Sequence, residues 1–308
     1  MTIDAQDIIR YYRHARRFEK LPLPQTLRPF TLSNTATGLG DTVMLTDLPR
    51  AAAAREELIT VFSTSQFFKT LMRFNPHYRE GITPFCIAAD VLVDQYDLGN
   101  GHYIQRLRRA YGYEVEDKPR GCLTATGAQR ASRRVALHFE AGAHSDWQRQ
   151  HIHPQARLLS TETKAVIQQF ISAHGDWDFI QVGRSSLEWE GVRDLTDIPL
   201  AQTIHELAQC EYFLGIMSGP LHIAAALEVK IVTIVNFPPA ELIYLPTLVD
   251  VGQVEAEWFY PQAVLLHQEG EGKLVPKISL RNLERAFHGE IYPYWSDNYL
   301  SLVHEPLF

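Results

Sequence analysis

Two segments of this chain constrain its fold more than anything else in it, because each runs from a strand pattern through a glycine-bearing turn into a helix pattern. In the first, residues 29–33 run into Gly38-Leu39-Gly40-Asp41 and then into helical spacing over residues 42–57, carried by Val43, Leu45, Leu48 and the alanines at 51–54. In the second, the apolar residues 211–216 meet Met217-Ser218-Gly219-Pro220 and continue as a helix over residues 219–227. The small residues Ala224, Ala225 and Ala226 let that helix pack closely on a sheet. Strand, glycine turn, helix is the opening of a parallel α/β unit.

The same alternation extends along the chain. Strands are predicted at 57–62, 84–89, 134–139, 177–182 and 230–237, and helices at 67–73, 103–112, 161–174, 199–209 and 280–287. Ser160 or Thr161 is placed to cap the 161–174 helix and Gly175 to end it. A polar stretch over 114–134 without periodicity separates two such sets. Mostly apolar strands alternating with helices signal buried parallel sheets. With 308 residues, roughly two domains' worth, the expectation is α/β, two Rossmann-like doubly wound domains facing a cleft. The boundaries expected are 1–130, 131–285 and a tail at 286–308 that packs back toward the first domain, with the aromatic residues 292–295 in that contact.

Composition removes several functions. Lys and Arg total 29 against 36 Asp and Glu, a formal charge of −7, which opposes non-specific nucleic-acid binding. Cys86, Cys122 and Cys210 are far apart and form no CxxC pair, so neither a zinc knuckle nor a disulfide framework is indicated, and a reducing cytosol is the simplest compartment. No apolar run approaches the roughly 20 residues that span a bilayer, and the first twenty residues lack the apolar core of a secretion signal. A basic segment over 8–20 carries Arg10, Arg13, Arg16, Arg17 and Lys20 among Tyr11, Tyr12 and Phe18. It reads as a solvated helix face or as a surface for anionic lipid or an anionic acceptor.

Five groups of residues carry possible chemistry. Asp41 stands where a helix N-cap belongs, and is otherwise a carboxylate able to take a proton from an acceptor hydroxyl. The glycines before it do not complete a GxGxxG fingerprint. The turn at Ser218 opens either a well-capped core helix or, through its N–H groups and the Ser218 hydroxyl, a diphosphate cradle. His138, His144, His151 and His153, with Asp146 among them, read as phosphate or acceptor contacts before they read as metal ligands. Arg184, Ser185, Ser186 and Glu188 follow a strand end, where open α/β sheets meet ligand; they are a nucleoside contact or a solvated loop. Arg106, Arg108, Arg109, Arg130, Arg133 and Arg134 read as a solvated face, or as a field that steers an anionic acceptor.

SGPLHIAAAL after an apolar strand, with GLGD in the first strand-to-helix turn, resembles glycosyltransferase family 9, the heptosyltransferases of lipopolysaccharide synthesis. Residues 192–196 leading into the next helix, and 258–262, fit the same pattern. The resemblance implies a GT-B architecture, with the acceptor side in the N-terminal domain and the donor held mainly by the C-terminal one. It implies inverting, metal-independent transfer from a nucleotide-diphosphate sugar, ADP-heptose in the best-known members, and no cofactor beyond that substrate. By position, Asp41 matches the family's candidate general base. The donor-binding set it implies is Gly38, Gly40, Thr42, Arg149, Arg184, Glu188, Met217, Ser218, Gly219, Pro220, Leu221 and His222. Met217 stands where the family usually carries an acidic residue, and Arg149 is the candidate for the phosphate charge that a lysine supplies elsewhere. The acceptor expected is a glycan, lipid-linked or protein hydroxyl. The location expected is cytoplasmic, with peripheral contact to the inner membrane through the basic segment. A silent or divergent protein that binds a nucleotide sugar, and an epimerase or hydrolase using Glu188 or His222 as a second acid or base, are the alternatives.

Overall fold

In the computed structural model of this chain, the residues described are 31–34, 38–57, 59, 61–80, 86–88, 102–140, 158–235, 260, 262–268 and 276–291. The basic segment 8–20, Asp146, Arg149, His144, His151, His153, Trp258, Phe259 and the aromatic residues 292–295 lie outside them. The chain divides into two compact units, Met1–Thr124 and Ala125–Phe308.

The first unit contains a parallel three-stranded sheet in the order β2-β1-β3, with β1 at Thr31–Asn34, β2 at Val61–Ser63 and β3 at Cys86–Ala88. Helices α1 (Leu39–Met44), α2 (Asp47–Ala53), α3 (Phe68–Arg73) and α4 (Tyr103–Ala110) accompany it. The single helix expected over 42–57 is therefore two. Pro49 has no N–H to return to Leu45, so it is tolerated in the first turn of α2 but not inside a longer helix. Thr46 fixes the break: its hydroxyl donates to Val43 O at 2.6 Å and accepts the Cys122 N–H at 2.8 Å. The core gathers Leu45, Leu48, Val61, Phe68, Met72 and Leu107. The cap of α4 is His102, whose Nδ1 accepts the Ile104 N–H while Gln105 Oε1 accepts the His102 N–H.

Charge in this unit is not where the sequence suggested. Arg106 and Arg108 are 5% and 4% exposed rather than part of a solvated face. Arg108 is drawn inside by Asp47, and Arg50 and Glu116 complete the network.

The second unit is built on six parallel strands in the order β6-β5-β4-β7-β8-β9. They are β4 (Arg134–His138), β5 (Asp178–Gly183), β6 (Arg193–Thr196), β7 (Tyr212–Gly215), β8 (Lys230–Val235) and β9 (Val264–His267). The helices are α5 (Thr161–Ala173), α6 (Leu200–Ala208), α7 (Gly219–Ala226) and α8 (Leu280–Phe287). Ser160 is the cap of α5, its hydroxyl accepting the Thr163 N–H at 3.1 Å. One face of the sheet, with Val135, Leu137, Leu214 and Val232, packs on α5 and α8 around Phe170. The Phe170 ring lies 4.8 Å from that of Phe287 and edge-on to Trp177 and Phe179. β6 and β9 were not expected. Arg134 is buried on β4, where Glu206, Gln209 and Asp178 take its guanidinium.

Candidate functional site

Taken in chain order, the strands of the second unit lie 3-2-1-4-5-6, a doubly wound arrangement whose order reverses between β4 and β7. Right-handed crossovers then send β4 to α5 on one face and β7 to α7 on the other, so the chain parts at this point. The opening lies at the carboxyl ends of the two strands, at His138 and Gly215, which are register partners. Ligands of open α/β sheets bind there because the splayed connections leave backbone N–H groups facing outward.

From Gly215 the chain passes through Ile216 and Met217 into α7. The Ile216 N–H donates to His138 O at 3.1 Å, tying the turn to the neighbouring strand. Ser218 is the residue before the helix, but its hydroxyl donates to Ile216 O at 3.1 Å rather than capping α7. Pro220 has no N–H, so the opening of the helix offers those of Gly219 and Leu221. Ser218, Gly219 and Pro220 are partly exposed, whereas Met217, Leu221 and His222 are buried. The His222 Nδ1 shares a hydrogen bond of 2.8 Å with the Tyr260 hydroxyl, and the two rings meet edge to face.

On the side of β4 away from β7 lies the loop after β5, next to the end of β4. Gly183 has φ +136°, and a side chain there would run into the His138 imidazole. That imidazole is buried, with Nδ1 2.9 Å from Val182 O; burial holds it below the ordinary imidazole range in spite of carbonyls at Val182 and Glu140. Arg184 and Glu188 are both exposed. A depression of about 440 Å³ lies beside the loop, lined by Gln181, Leu187, Glu188, Trp189, Val192 and Asp194 among others. Glu140 accepts the N–H groups of Arg184 and Ser185 at 3.2 and 2.9 Å. Burial would raise its carboxyl, but these donors outweigh it and hold the group below the usual carboxylate range. Sequence reasoning did not find Glu140, for a lone acid two residues past a strand has no spacing to mark it.

In the first unit, Gly38 rather than Asp41 is the N-cap of α1, and Asp41 sits in the first turn at partial exposure. Its carboxylate bends back over the Gly38 Cα, where any Cβ would collide with Oδ2. An acid in that turn favours the helix dipole. Gly40 is partly exposed beside it, and Thr42 is buried with its hydroxyl donating to Gly38 O at 2.8 Å. Among the described residues no cluster of three or more His, Cys, Asp or Glu is placed to hold a metal ion, and no helix is long and apolar enough to cross a membrane.

No protein-family model matches the sequence, and no curated protein does. Solved structures match the fold. E. coli heptosyltransferase WaaC with ADP-2-deoxy-2-fluoro heptose matches with a TM-score of 0.54 at 9% identity, over 84% of this chain and 99% of that one. The fold is that of the heptosyltransferases. A glycosyl transferase of family 9 from Veillonella parvula DSM 2008 gives 0.53 at 12% identity, over 88% of this chain and 98% of the other. The bacterial iron-containing dodecameric glycosyltransferase TibC from enterotoxigenic E. coli H10407 gives 0.52 at 17% identity, over 94% and 79%. The heptosyltransferase fold thus extends over most of this chain, at identities that speak for architecture alone.

Proposed function

We propose that the chain is an inverting glycosyltransferase of GT-B type, moving heptose or a related sugar from a nucleotide-diphosphate donor to a hydroxyl of a glycan or other acceptor. One observation carries the reading: where the sheet order reverses, Ser218 and Gly219 open α7 at partial exposure beside the end of β4. A helix start presents N–H groups and the positive end of its dipole, which suit a diphosphate. The fold shared with heptosyltransferases supports it, one of which, WaaC, is solved both with ADP and with ADP-2-deoxy-2-fluoro heptose. ADP-heptose is accordingly the donor we favour, with Arg184 and Arg149 as cations for its phosphates and Glu188 toward the nucleoside. His222 and Leu221 hold α7 from behind.

In the reaction proposed, the acceptor oxygen attacks the anomeric carbon opposite the diphosphate, and Asp41 takes the hydroxyl proton. The bond from that carbon to the diphosphate oxygen breaks with its electron pair, and the nucleoside diphosphate leaves against the α7 opening. A second reading, a sugar-nucleotide binder without transfer, is favoured by the buried Met217, which has no carboxylate to grip sugar hydroxyls.

The test is a thermal-shift and calorimetric screen of ADP, UDP, GDP and their sugars, followed by donor turnover in Asp41→Asn. Loss of turnover with donor affinity kept supports the transferase. Binding without turnover in the wild type supports the binder, and no binding of any nucleotide overturns both.

A further inference from the structure

We propose that Glu140 is a positioning residue for the donor: through the backbone of Arg184 and Ser185 it fixes the loop after β5 against the end of β4, the strand that borders the opening toward β7. The inference rests on the reading above, and it adds a residue to that site which neither motif nor resemblance assigns.

Three ties converge on this loop. Oε2 of Glu140 accepts the N–H of Ser185 at 2.9 Å and of Arg184 at 3.2 Å. Gln181 Nε2 donates to Ser185 O at 3.2 Å from the strand below. The third tie is steric: the His138 imidazole occupies the space above Gly183, so the chain can leave β5 only along the glycine path it takes. Glu140 and His138 are supplied by the same strand end, whose carbonyl also holds the Ile216 N–H of the α7 turn. One short segment, 138–140, therefore ties both the α7 turn and the loop after β5 to the end of β4.

The chemistry follows from what the ties leave. Two successive backbone N–H groups form a small anion-binding concavity, and here the protein fills it with its own carboxylate. A phosphate is thereby kept from this spot, while the exposed Arg184 side chain on the same loop is free to turn outward. An exposed loop normally loses freedom when ligand binds; a loop already pinned loses less, and that difference appears as affinity.

The experiment compares wild type, Glu140→Ala and Glu140→Gln in full-length protein, reading ADP affinity, donor KM and kcat, and amide exchange at 184 and 185. Charged hydrogen bonds of this kind lead us to expect Kd for ADP and donor KM to rise about tenfold in Glu140→Ala, with kcat within about twofold. Glu140→Gln keeps an acceptor oxygen and should recover to about threefold of wild type. The amides of Arg184 and Ser185 should exchange faster in Glu140→Ala while those of β4 and β7 stay protected. A purely structural role would lower thermal stability and kcat together and leave KM alone, and that pattern overturns the proposal. ADP affinity within twofold of wild type in folded Glu140→Ala also overturns it. If wild type itself binds no nucleotide, the donor reading has failed and this proposal falls with it; the exchange measurement then shows whether the clamp itself exists.

Discussion

Arg108 closes on Asp47 with two hydrogen bonds, Nε to Oδ2 at 2.6 Å and Nη2 to Oδ1 at 2.8 Å, and both side chains are buried. Arg50 reaches the same carboxylate from one turn along α2 and continues to Glu116. Desolvation works against each guanidinium, yet the carboxylates raise both above their ordinary range, so the charges persist at any working pH. Removing one partner of such a pair strands the other. Asp47→Ala should therefore cost about 3–5 kcal/mol in urea denaturation, and Asp47→Leu combined with Arg108→Met should cost less than Asp47→Ala alone. A single-variant loss below about 1 kcal/mol would show that the network is solvated in solution.

Gly215 ends β7 where the sheet order reverses, and a Cβ there would strike the His138 carbonyl and lie 2.8 Å from the Phe213 ring. The first obstacle is backbone and cannot rotate away. Gly215→Ala should lower stability by about 1–3 kcal/mol, and it should weaken nucleotide binding as well, since Ile216 loses its seat on β4. Unchanged denaturation and unchanged ADP affinity would mean that β4 and β7 tolerate separation.

What the sequence revealed and concealed divides along the range of the forces involved. The turn at Ser218-Gly219-Pro220 was legible because proline in the first helical turn and glycine beside it are local chemistry. So were β4, β7 and β8, whose central residues are apolar because helices cover both faces. β6 escaped because it is an edge strand led by the exposed pair Arg193-Asp194, which leaves no apolar run. Arg106, Arg108 and Arg134 look like surface charge in the sequence because nothing local shows that Asp47 lies 61 positions away from Arg108 or Glu206 72 from Arg134. Asp41 stands one turn further into its helix than an N-cap would: Gly38 takes the cap, and the acid lies three residues inside. For Arg108 and Arg134 a long-range partner decided what a window of neighbours could not.

Stability should fall on mild acidification. Burial holds the folded His138 and His267 below the ordinary imidazole value near 6.5, with Lys277 adding to the effect at His267. The unfolded chain then binds more protons than the folded one as pH drops below about 6.5, and stability is lost from there down to the folded values. The depressed carboxyls of Glu116, Glu140 and Glu211 act lower: their contribution is present above about 4.5 and fades only as pH falls through their folded values. Urea midpoints should therefore decrease between pH 7.5 and 5.5 in the wild type. His138→Gln should start lower at pH 7.5 and decrease less. An equal fall in both would remove His138 from the account.

Tyr260 and His222 make the last prediction. The Tyr260 hydroxyl lies 2.8 Å from His222 Nδ1 and both residues are buried, so the bond is made out of water and its loss is not repaid by solvent. Tyr260→Phe keeps the ring and its edge-to-face contact while deleting the hydroxyl. The expected cost is about 1–2 kcal/mol in urea denaturation. His222 stands in the first half of α7 with its imidazole turned into the protein, so its effect on a ligand at Gly219 passes through the position of the helix. ADP affinity should accordingly stay within about twofold of wild type in Tyr260→Phe, well under the tenfold that a lost direct contact of about 1.4 kcal/mol would produce. A tenfold loss at unchanged stability would instead place the imidazole in contact with the donor.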